Sequence, residues 1–222
     1  MRIYCDFDGT ITTTDTTDFV LERLARPAWR DLEAEWLAGR ISAAECMRRQ
    51  VALIESDDAR LDAVLDEVTL TEGFAHFAQS CAASRVPLAV VSDGVDYFIR
   101  RILRRHGLEA LPVMANRFAG GVAARRLEQP WLRADCRAGS GVCKCAATAG
   151  DQAGQIVYIG DGRSDFCVAR RADLLIARSA LARHAREHGL RFLPFTDFHD
   201  VLRHVDRHHL NRGERPLVTS AN

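Results

Sequence analysis

Three short, strongly apolar segments of this sequence are each followed directly by an acidic turn. The segments span residues 2–5, 87–91 and 156–159, and the turns are Asp6-Phe7-Asp8, Ser92-Asp93-Gly94 and Gly160-Asp161-Gly162. A short continuous apolar run is typical of a strand buried on both faces of a parallel sheet. Because ligands bind outside the carboxyl ends of such strands, we expect the acidic side chains to meet at one edge of the sheet.

Strand-like and helix-like patterns alternate from Gly73 onward. Further strands are predicted at 111–115 and 174–176, and the last helices at 180–188 and 197–209. Gly120-Gly121 indicates a hairpin turn. Alternating strands and helices favour an α/β fold, with a parallel sheet covered by helices on both faces.

Residues 14–72 carry helical patterns only. Ser42-Ala43-Ala44-Glu45 is a capping box, and Asp15 and Asp57 stand where helices can begin. We therefore predict a cap of four helices inserted after the first strand. The predicted organisation is a core formed by residues 1–13 and 73–210, a cap formed by 14–72, and a flexible tail at 211–222.

Composition excludes several classes of protein. The 222 residues include 30 Lys+Arg and 30 Asp+Glu, so the formal net charge is zero, whereas nucleic-acid-binding proteins usually carry a basic excess. A hydrophobic fraction of 47% is that of a globular chain. The balanced charge predicts no nucleic-acid partner. With no apolar run long enough to cross a membrane and no leader-like segment, we predict no membrane partner either.

The seven cysteines are an odd number, and the sequence opens without a signal peptide. A disulfide scaffold is therefore not expected, and a reducing, cytoplasmic location is. Cys136, Cys143 and Cys145 could join a fourth ligand around zinc, but their spacing is not a common zinc spacing, and reduced thiols are the default. Cys5 and Cys167 are predicted to be buried in the core.

The acidic strand ends predict a metal site. Asp6, Asp8, Asp161 and Asp165 would repel one another unless a cation joined them, and an all-oxygen ligand set with room for a phosphate favours Mg²⁺. Any one of these residues is equally well explained as a helix cap. A cap does not require the second carboxylate of Asp6-x-Asp8, however, so the set as a whole favours the metal site.

A carboxylate beside such a metal could attack phosphorus and form an aspartyl-phosphate. Carboxylate and phosphate dianion repel by about 8 kcal/mol at 4 Å and an effective dielectric constant of 20, so a metal and a lysine are needed to offset the repulsion. Lys144 is the only lysine of the sequence and lies between the second and third acidic turns. Ser92 could donate its hydroxyl to a phosphate oxygen, helped by the backbone N–H groups of the Asp93-Gly94 turn.

These motifs together resemble the haloacid dehalogenase superfamily. Asp6-Phe7-Asp8-Gly9-Thr10 matches its first motif, Ser92 its second, Lys144 its third, and the segment Gly160 to Asp165 its fourth. The resemblance implies a Rossmann-like, three-layer core with an inserted helical cap of the C1 type. It implies Asp6 as nucleophile, Asp8 as general acid and base, and Mg²⁺ held by Asp6, the backbone carbonyl of Asp8, and Asp161. Asp165 would orient Lys144 and support the metal site.

Within that superfamily the sequence is similar to the phosphoserine-phosphatase-like branch, in which two relatives compete. Phosphoserine phosphatases carry Glu at the position of Asp15 and a substrate-clamping Arg at that of Gln50; glutamine cannot form a bidentate cationic fork, although Arg48 or Arg49 could substitute. Methionine-salvage phosphatases that act on 2-hydroxy-3-keto-5-methylthiopentenyl-1-phosphate resemble this sequence more, at Asp15 and in the cysteine-bearing segment before Lys144, although the cysteine spacing differs. The resemblance to either relative implies that Asp15 faces the substrate.

The expected partner is therefore a small phosphate monoester, hydrolysed with Mg²⁺. Asp93 replaces a glycine that is common in the second motif, so its side chain must turn away from the phosphate. Trp29 and Trp36 could cover an apolar substrate, but packing within the cap is the more common role of such residues. A phosphotransferase remains an alternative, and a non-catalytic binding protein is disfavoured because Asp6, Asp8 and Lys144 are all present. An apolar patch could support a homodimer, although no sequence pattern shows one.

Overall fold

The structure is a computed structural model that describes residues 1–149 and 154–213. The predicted tail begins within the last helix, which continues to Gly213, and residues 214–222 lie outside the described residues.

One mixed sheet organises the described part of the chain. Its strand order is β4-β3-β2-β1-β5-β6-β7. The strands are β1 (Arg2–Cys5), β2 (Leu88–Val95), β3 (Val113–Ala119), β4 (Arg126–Glu128), β5 (Ile156–Gly160), β6 (Leu174–Ala177) and β7 (Leu193–Pro194). The central strand β1 pairs in parallel with β2 and β5, and Cys5 lies opposite Val90 and Ile159 in register. The carboxyl ends of these three strands therefore meet.

The predicted parallel core is confirmed, with one antiparallel strand added at the edge. β4 runs antiparallel to β3, after a turn at Gly120 whose φ of +83° suits glycine. A Cβ at Gly120 would lie 2.0 Å from the carbonyl oxygen of Ala124, so the turn is closed too tightly for a larger residue. The strand expected at 111–115 begins at Val113 and continues to Ala119 because it forms one arm of this hairpin.

Helices cover both faces of the sheet. They are α1 (Thr16–Leu24), α2 (Trp29–Leu37), α3 (Ala43–Val51), α4 (Asp58–Leu65), α5 (Phe74–Ala83), α6 (Asp96–Arg105), α7 (Lys144–Ala147), α8 (Phe166–Ala169), α9 (Ser179–Glu187) and α10 (Phe198–Gly213). Ile3 and Cys5 pack on one face with residues of α5, α6 and α10, whereas Tyr4 packs on the other with residues of α8 and α9. Alternate residues of β1 thus supply two apolar layers.

The segment between β1 and α5 contains α1–α4, which we call the cap helices. Asp15 caps α1 by accepting hydrogen bonds from the amides of Thr17 and Asp18, and Ser42 and Asp57 cap α3 and α4 in the same way. The division into a separate core and cap stays a prediction.

The cap helices share their apolar interior with the sheet. Val20 of α1, Val51 of α3 and Leu61 of α4 belong to the same buried cluster as Ile3 and Phe98. In the described part of the chain, no helix combines the length and apolarity that crossing a membrane requires.

Candidate active site

Asp6 stands directly after β1, where the chain leaves the sheet. Its side chain is almost fully buried, and its Oδ1 accepts a hydrogen bond of 2.8 Å from the backbone amide of Phe7. The same oxygen lies 2.8 Å from Nζ of Lys144, so Oδ2 is the oxygen of Asp6 that these two contacts leave open. The only lysine of the sequence thus meets the first acidic turn, as the motif order predicts.

Lys144 begins the short helix α7 and is completely buried between two carboxylates. Its Nζ donates a hydrogen bond of 2.6 Å to Oδ1 of Asp165, on the side opposite Asp6. Burial alone lowers the pKa of Lys144, but Asp165 and Asp6 raise it more, so the pKa lies above its usual value. The ammonium group therefore stays charged and fixed in place.

Asp165 is held on every side by hydrogen-bond donors. Its Oδ1 also accepts from the hydroxyl of Tyr158, and its Oδ2 accepts from the backbone amides of Asp161 and Gly162 at 3.1 and 3.0 Å. Each oxygen already has two donors, which favours the predicted role of orienting Lys144 over a direct bond to a metal.

Asp8 is hydrogen-bonded to the first residue of the cap helices. Its Oδ1 accepts hydrogen bonds from the amide of Thr16, at 2.8 Å, and from the Thr16 hydroxyl. Its Oδ2 lies 3.4 Å from Oγ of the buried Ser92. A Cβ at Gly94 would come within 2.5 Å of the same oxygen, so a glycine is needed there. Burial, followed by the charge of Asp15, raises the pKa of Asp8 to about 7 against the opposing hydrogen bonds of Thr16.

Three carboxylates form a cluster that could hold a metal ion. Asp6, Asp161 and Asp165 each offer an oxygen, and these oxygens lie within 4.8 Å of one another. Burial, and then the nearby charge of Asp165, raises the pKa of Asp6 well above its usual value. Asp161 accepts a hydrogen bond of 2.8 Å from Oγ1 of Thr10, and a Cβ at Gly9 would lie 2.7 Å from its Oδ2. An all-oxygen cluster with excess negative charge fits a hard divalent cation.

Asp93 is hydrogen-bonded to two other segments of the chain, and its turning away from a bound phosphate stays a prediction. Its Oδ1 accepts a hydrogen bond of 2.9 Å from the amide of Val142 and one of 3.3 Å from Nδ2 of Asn116. Val142 stands two residues before Lys144. The carboxylate therefore ties β2 to the segment that delivers the lysine.

Several residues of the site lie outside the predicted set. Arg178, which follows β6, donates from Nε to the carbonyl of Gly9 at 3.0 Å and from its NH2 group to that of Thr10 at 3.2 Å, and so supports the turn after Asp6. Thr16, Tyr158 and Asn116 orient Asp8, Asp165 and Asp93 as described above. The sequence offered one signal for Arg178, its position just after the strand predicted at 174–176. It offered none for Thr16, Tyr158 or Asn116.

A cavity of about 1410 Å³ opens between these residues and the cap helices. Asp6, Asp8, Ser92 and Asp161 line it from the sheet side. Asp15 lines it at the start of α1, where desolvation by the surrounding protein raises the pKa of its carboxyl. Lys144 does not line it, because Asp6 and Asp165 enclose its ammonium group.

The cap contributes a glutamine to the cavity and no arginine. Gln50 lines the cavity, and its Nε2 donates to the carbonyl of Trp29 at 3.3 Å and to Oε2 of Glu33 at 3.1 Å. The expectation that Arg48 or Arg49 could replace the missing clamp is wrong. Both are exposed on the outer side of α3, where they pair with Glu45 and Glu35.

The aromatic residues of α2 differ in their surroundings. Trp29 is 7% exposed and packs in the shared apolar cluster, in line with the packing role. Trp36 lines the cavity.

The cysteines contradict one prediction, the burial of Cys167 in the core. Cys5 is buried in the core, but Cys167 is half-buried and lines the cavity, because its short helix α8 borders the opening. Cys136, Cys143 and Cys145 also line the cavity. They are free cysteines, and whether they bind a metal stays a prediction.

Comparison with known proteins agrees with this geometry. The family model of haloacid dehalogenase-like hydrolases matches residues 3–170. The chain belongs to the haloacid dehalogenase-like hydrolases.

Relatives in the family are phosphatases. A 2-hydroxy-3-keto-5-methylthiopentenyl-1-phosphate phosphatase of Brevibacillus brevis is 33% identical over 208 residues, covering 90% of this chain and 93% of the relative. The phosphatase of the same name from Geobacillus thermodenitrificans is 32% identical, with 92% and 95% covered. A solved structure of a phosphoserine phosphatase, described as a phospho-aspartyl intermediate analogue, has a TM-score of 0.65 at 22% identity over 91% of this chain and 97% of the other. This haloacid dehalogenase-like chain is accordingly a phosphatase that acts on phosphoric monoesters.

Proposed function

We propose that this enzyme hydrolyses a small phosphate monoester through an aspartyl-phosphate on Asp6, with Mg²⁺ as its cofactor. The observation that carries the proposal is the contact of Asp6 with Lys144, 2.8 Å apart at the end of β1, with Asp8 two residues away and facing the cap. A buried nucleophile paired with a fixed cation, beside a second carboxylate, suits phosphoryl transfer.

In the first step, Oδ2 of Asp6 forms a bond to phosphorus while the bond from phosphorus to the alcohol oxygen breaks. The contacts of Oδ1 with Phe7 and Lys144 orient the carboxylate, so that Oδ2 faces the open cavity. Asp8 gives its proton to the departing alcohol oxygen. Lys144 contributes positive charge as negative charge develops.

In the second step, a water molecule attacks the phosphorus of the aspartyl-phosphate and gives its proton to Asp8. The phosphorus–oxygen bond to Asp6 breaks, and inorganic phosphate leaves with both enzyme carboxyls restored. Ser92 holds a phosphate oxygen in this proposal, which its burial at the cavity wall beside Asp8 supports.

The carboxylate cluster fits Mg²⁺. Asp6 and Asp161, together with the backbone carbonyl of Asp8, would hold the ion, and Asp165 would support the site through Lys144. When bound, the cation offsets the repulsion between carboxylate and phosphate and stabilises charge on the phosphoryl oxygens.

For the substrate we propose 2-hydroxy-3-keto-5-methylthiopentenyl-1-phosphate or a related small phosphate, on the strength of the relatives' names and of the cavity. Trp36 and Met47 give the cap side of the cavity apolar surface suited to a methylthio group. Phosphoserine is the alternative in the same branch, but Gln50 and the outward-facing Arg48 and Arg49 leave the cap without a cation for its carboxylate. Transfer of the phosphoryl group to an alcohol remains the other alternative.

The test is phosphate release from a panel of small phosphate monoesters, with and without Mg²⁺. Release should disappear on addition of EDTA and return with Mg²⁺, and Asp6→Asn should abolish it because an amide oxygen is a poor nucleophile. Asp31→Asn, at an exposed position of α2, is the matched control and should retain full activity.

Wild-type protein mixed with substrate and quenched rapidly should carry one added phosphoryl group by intact mass, absent from Asp6→Asn. Full activity in Asp6→Asn would rule out the aspartyl-phosphate mechanism. A competing acceptor alcohol that captures most of the phosphate would favour the phosphotransferase instead.

A further inference from the structure

The leaving group of the substrate is directed toward the cap helices. Asp8, the proposed proton donor, is hydrogen-bonded through Oδ1 to both the amide and the hydroxyl of Thr16, the first residue of α1. The alcohol oxygen that Asp8 protonates therefore lies at the start of α1. This inference rests on the proposed function.

The cap wall next to that position is acidic. Asp15, Asp18 and Glu33 line the cavity, whereas none of the arginines among the described residues of the cap helices does so. Asp18 lies in the first turn of α1, and Glu33 lies on α2. An anionic group entering here meets like charges.

Asp18 stands among other carboxylates. Asp18 is exposed on the cavity wall, where partial desolvation, and then the negative charges of Asp15, Glu33 and Glu22, raise the pKa of its carboxyl. The acidic wall is therefore suited to a partner that supplies positive charge or hydrogen-bond donors.

The hydroxyl of Thr17, unlike the amide of Gln50, indicates that this wall meets a polar ligand. Thr17 lines the cavity and is 3% exposed, yet its hydroxyl has no hydrogen-bond partner. Gln50 is 4% exposed, and its Nε2 is occupied by Trp29 and Glu33. A buried hydroxyl without a partner costs free energy, which a polar group of the substrate would recover.

The arginines that line the cavity, among the described residues, all stand outside the cap helices: Arg133, Arg137, Arg163, Arg170 and Arg171. Arg133 and Arg137 line the cavity from the segment between β4 and α7, where Arg133 pairs with Asp135 at 3.3 Å. Arg171 follows α8 and donates to the carbonyl of Cys145 at 3.0 Å. The charges that shift the pKa of the Asp8 carboxyl are those of Asp15 and Lys144.

We propose that Asp18 and Glu33 are specificity-determining residues. They exclude leaving alcohols that carry a carboxylate and select those that carry hydroxyl donors or an ammonium group without a carboxylate.

Phosphoethanolamine and phosphoserine test this directly, because they differ by one carboxylate. We expect the wild-type enzyme to favour phosphoethanolamine by at least about tenfold in kcat/KM, the discrimination that 1.4 kcal/mol gives. In the double variant Asp18→Asn/Glu33→Gln the ratio should fall toward one, mainly through a lower KM for phosphoserine. If one of the two esters is not hydrolysed, the two esters are compared instead by their inhibition constants against the hydrolysis of p-nitrophenyl phosphate.

Glu35→Gln is the matched control, since Glu35 lies on the same helix as Glu33 but pairs with Arg49 outside the cavity. It should leave the ratio unchanged. Suppose that the enzyme hydrolyses p-nitrophenyl phosphate. The inference alone is then overturned if the wild-type preference for phosphoethanolamine over phosphoserine is one or less, or if the double variant leaves that preference unchanged. Failure to hydrolyse any ester, p-nitrophenyl phosphate included, overturns the proposed function and the inference together.

Discussion

At the scale of single residues, the site depends on charges that are buried but paired. Lys144 is fully enclosed and contacts both Asp6 and Asp165 within 2.8 Å. Removing a charge from water is expensive, and the cost is recovered only with close partners and further hydrogen bonds. Tyr158 and the two backbone amides on Asp165 supply those bonds, so the lysine is fixed before any substrate arrives.

Asp93 should act as a positioning residue for Lys144. Asp93→Ala removes the acceptor of the Val142 amide and lets the segment before Lys144 shift, so we expect kcat to fall by about a hundredfold while KM changes little. Asp93→Asn keeps an acceptor oxygen and should retain most of kcat. Steady-state kinetics on any accepted ester provides the measurement.

Asp96→Ala is the matched control for this prediction. Asp96 makes a comparable contact, accepting from the amide of Phe118 at 2.8 Å, but does not line the active-site cavity. An equal loss of kcat in both alanine variants would mean general loosening around the end of β2 and the start of α6, and would contradict a specific role for Asp93.

At the scale of elements, the β3–β4 hairpin is tied to the cap. Arg125, whose side chain is 1% exposed, donates to the carbonyl of Ser56 and to Asp58 at the start of α4, and its guanidinium lies 5.0 Å from the ring of Phe118. Gln129 adds a second tie, donating to the carbonyl of Ala44 in α3 at 3.0 Å. The antiparallel edge strand thus helps to hold the cap helices over the site.

Arg125→Met should destabilise the protein because it leaves the buried Ser56 carbonyl without its donor. We expect the free energy of unfolding to fall by about 2 kcal/mol, which for a chain of this size lowers Tm by roughly 4–8 °C. Arg126→Met, at the exposed neighbouring position, should change the free energy by less than about 0.5 kcal/mol. Thermal denaturation of the two variants checks this, and equal Tm values would show that the hairpin does not support the cap.

At the scale of the whole molecule, one apolar cluster runs from the sheet into α1, α3 and α4. Because unfolding the cap helices would expose apolar surface on both sides of this cluster, we expect cap and core to unfold together. The expected homodimer and cytoplasmic location stay predictions at this scale, the first to be tested by light scattering in solution.

Cooperative unfolding can be measured with the tryptophans. In a Trp131→Phe variant, the remaining Trp29 and Trp36 both lie on α2 and report on the cap. Their fluorescence and the far-ultraviolet circular dichroism of the whole chain should give the same midpoint in urea. A fluorescence midpoint at clearly lower urea would mean that the cap unfolds separately.

The sequence by itself determined the parallel core, the family and the residues that meet at the strand ends. Buried strands are recognisable as short apolar runs. The motifs Asp6-x-Asp8, Ser92, Lys144 and Asp161 follow one another in the chain, and a parallel sheet brings their side chains to one edge. Local chemistry at a helix start is equally readable, so Asp15, Ser42 and Asp57 were identifiable as caps before any contact was known.

Only the tertiary structure decided which partners each side chain meets. Arg178 supports the turn at Gly9 from 169 positions away, and Arg48 and Arg49 face outward although their positions along α3 allowed the opposite. Likewise the acidic cap wall joins Asp18 and Glu33 from two helices whose crossing no local pattern specifies. Side-chain orientation depends on packing between elements distant in the chain, and that information appears only when the whole chain is folded.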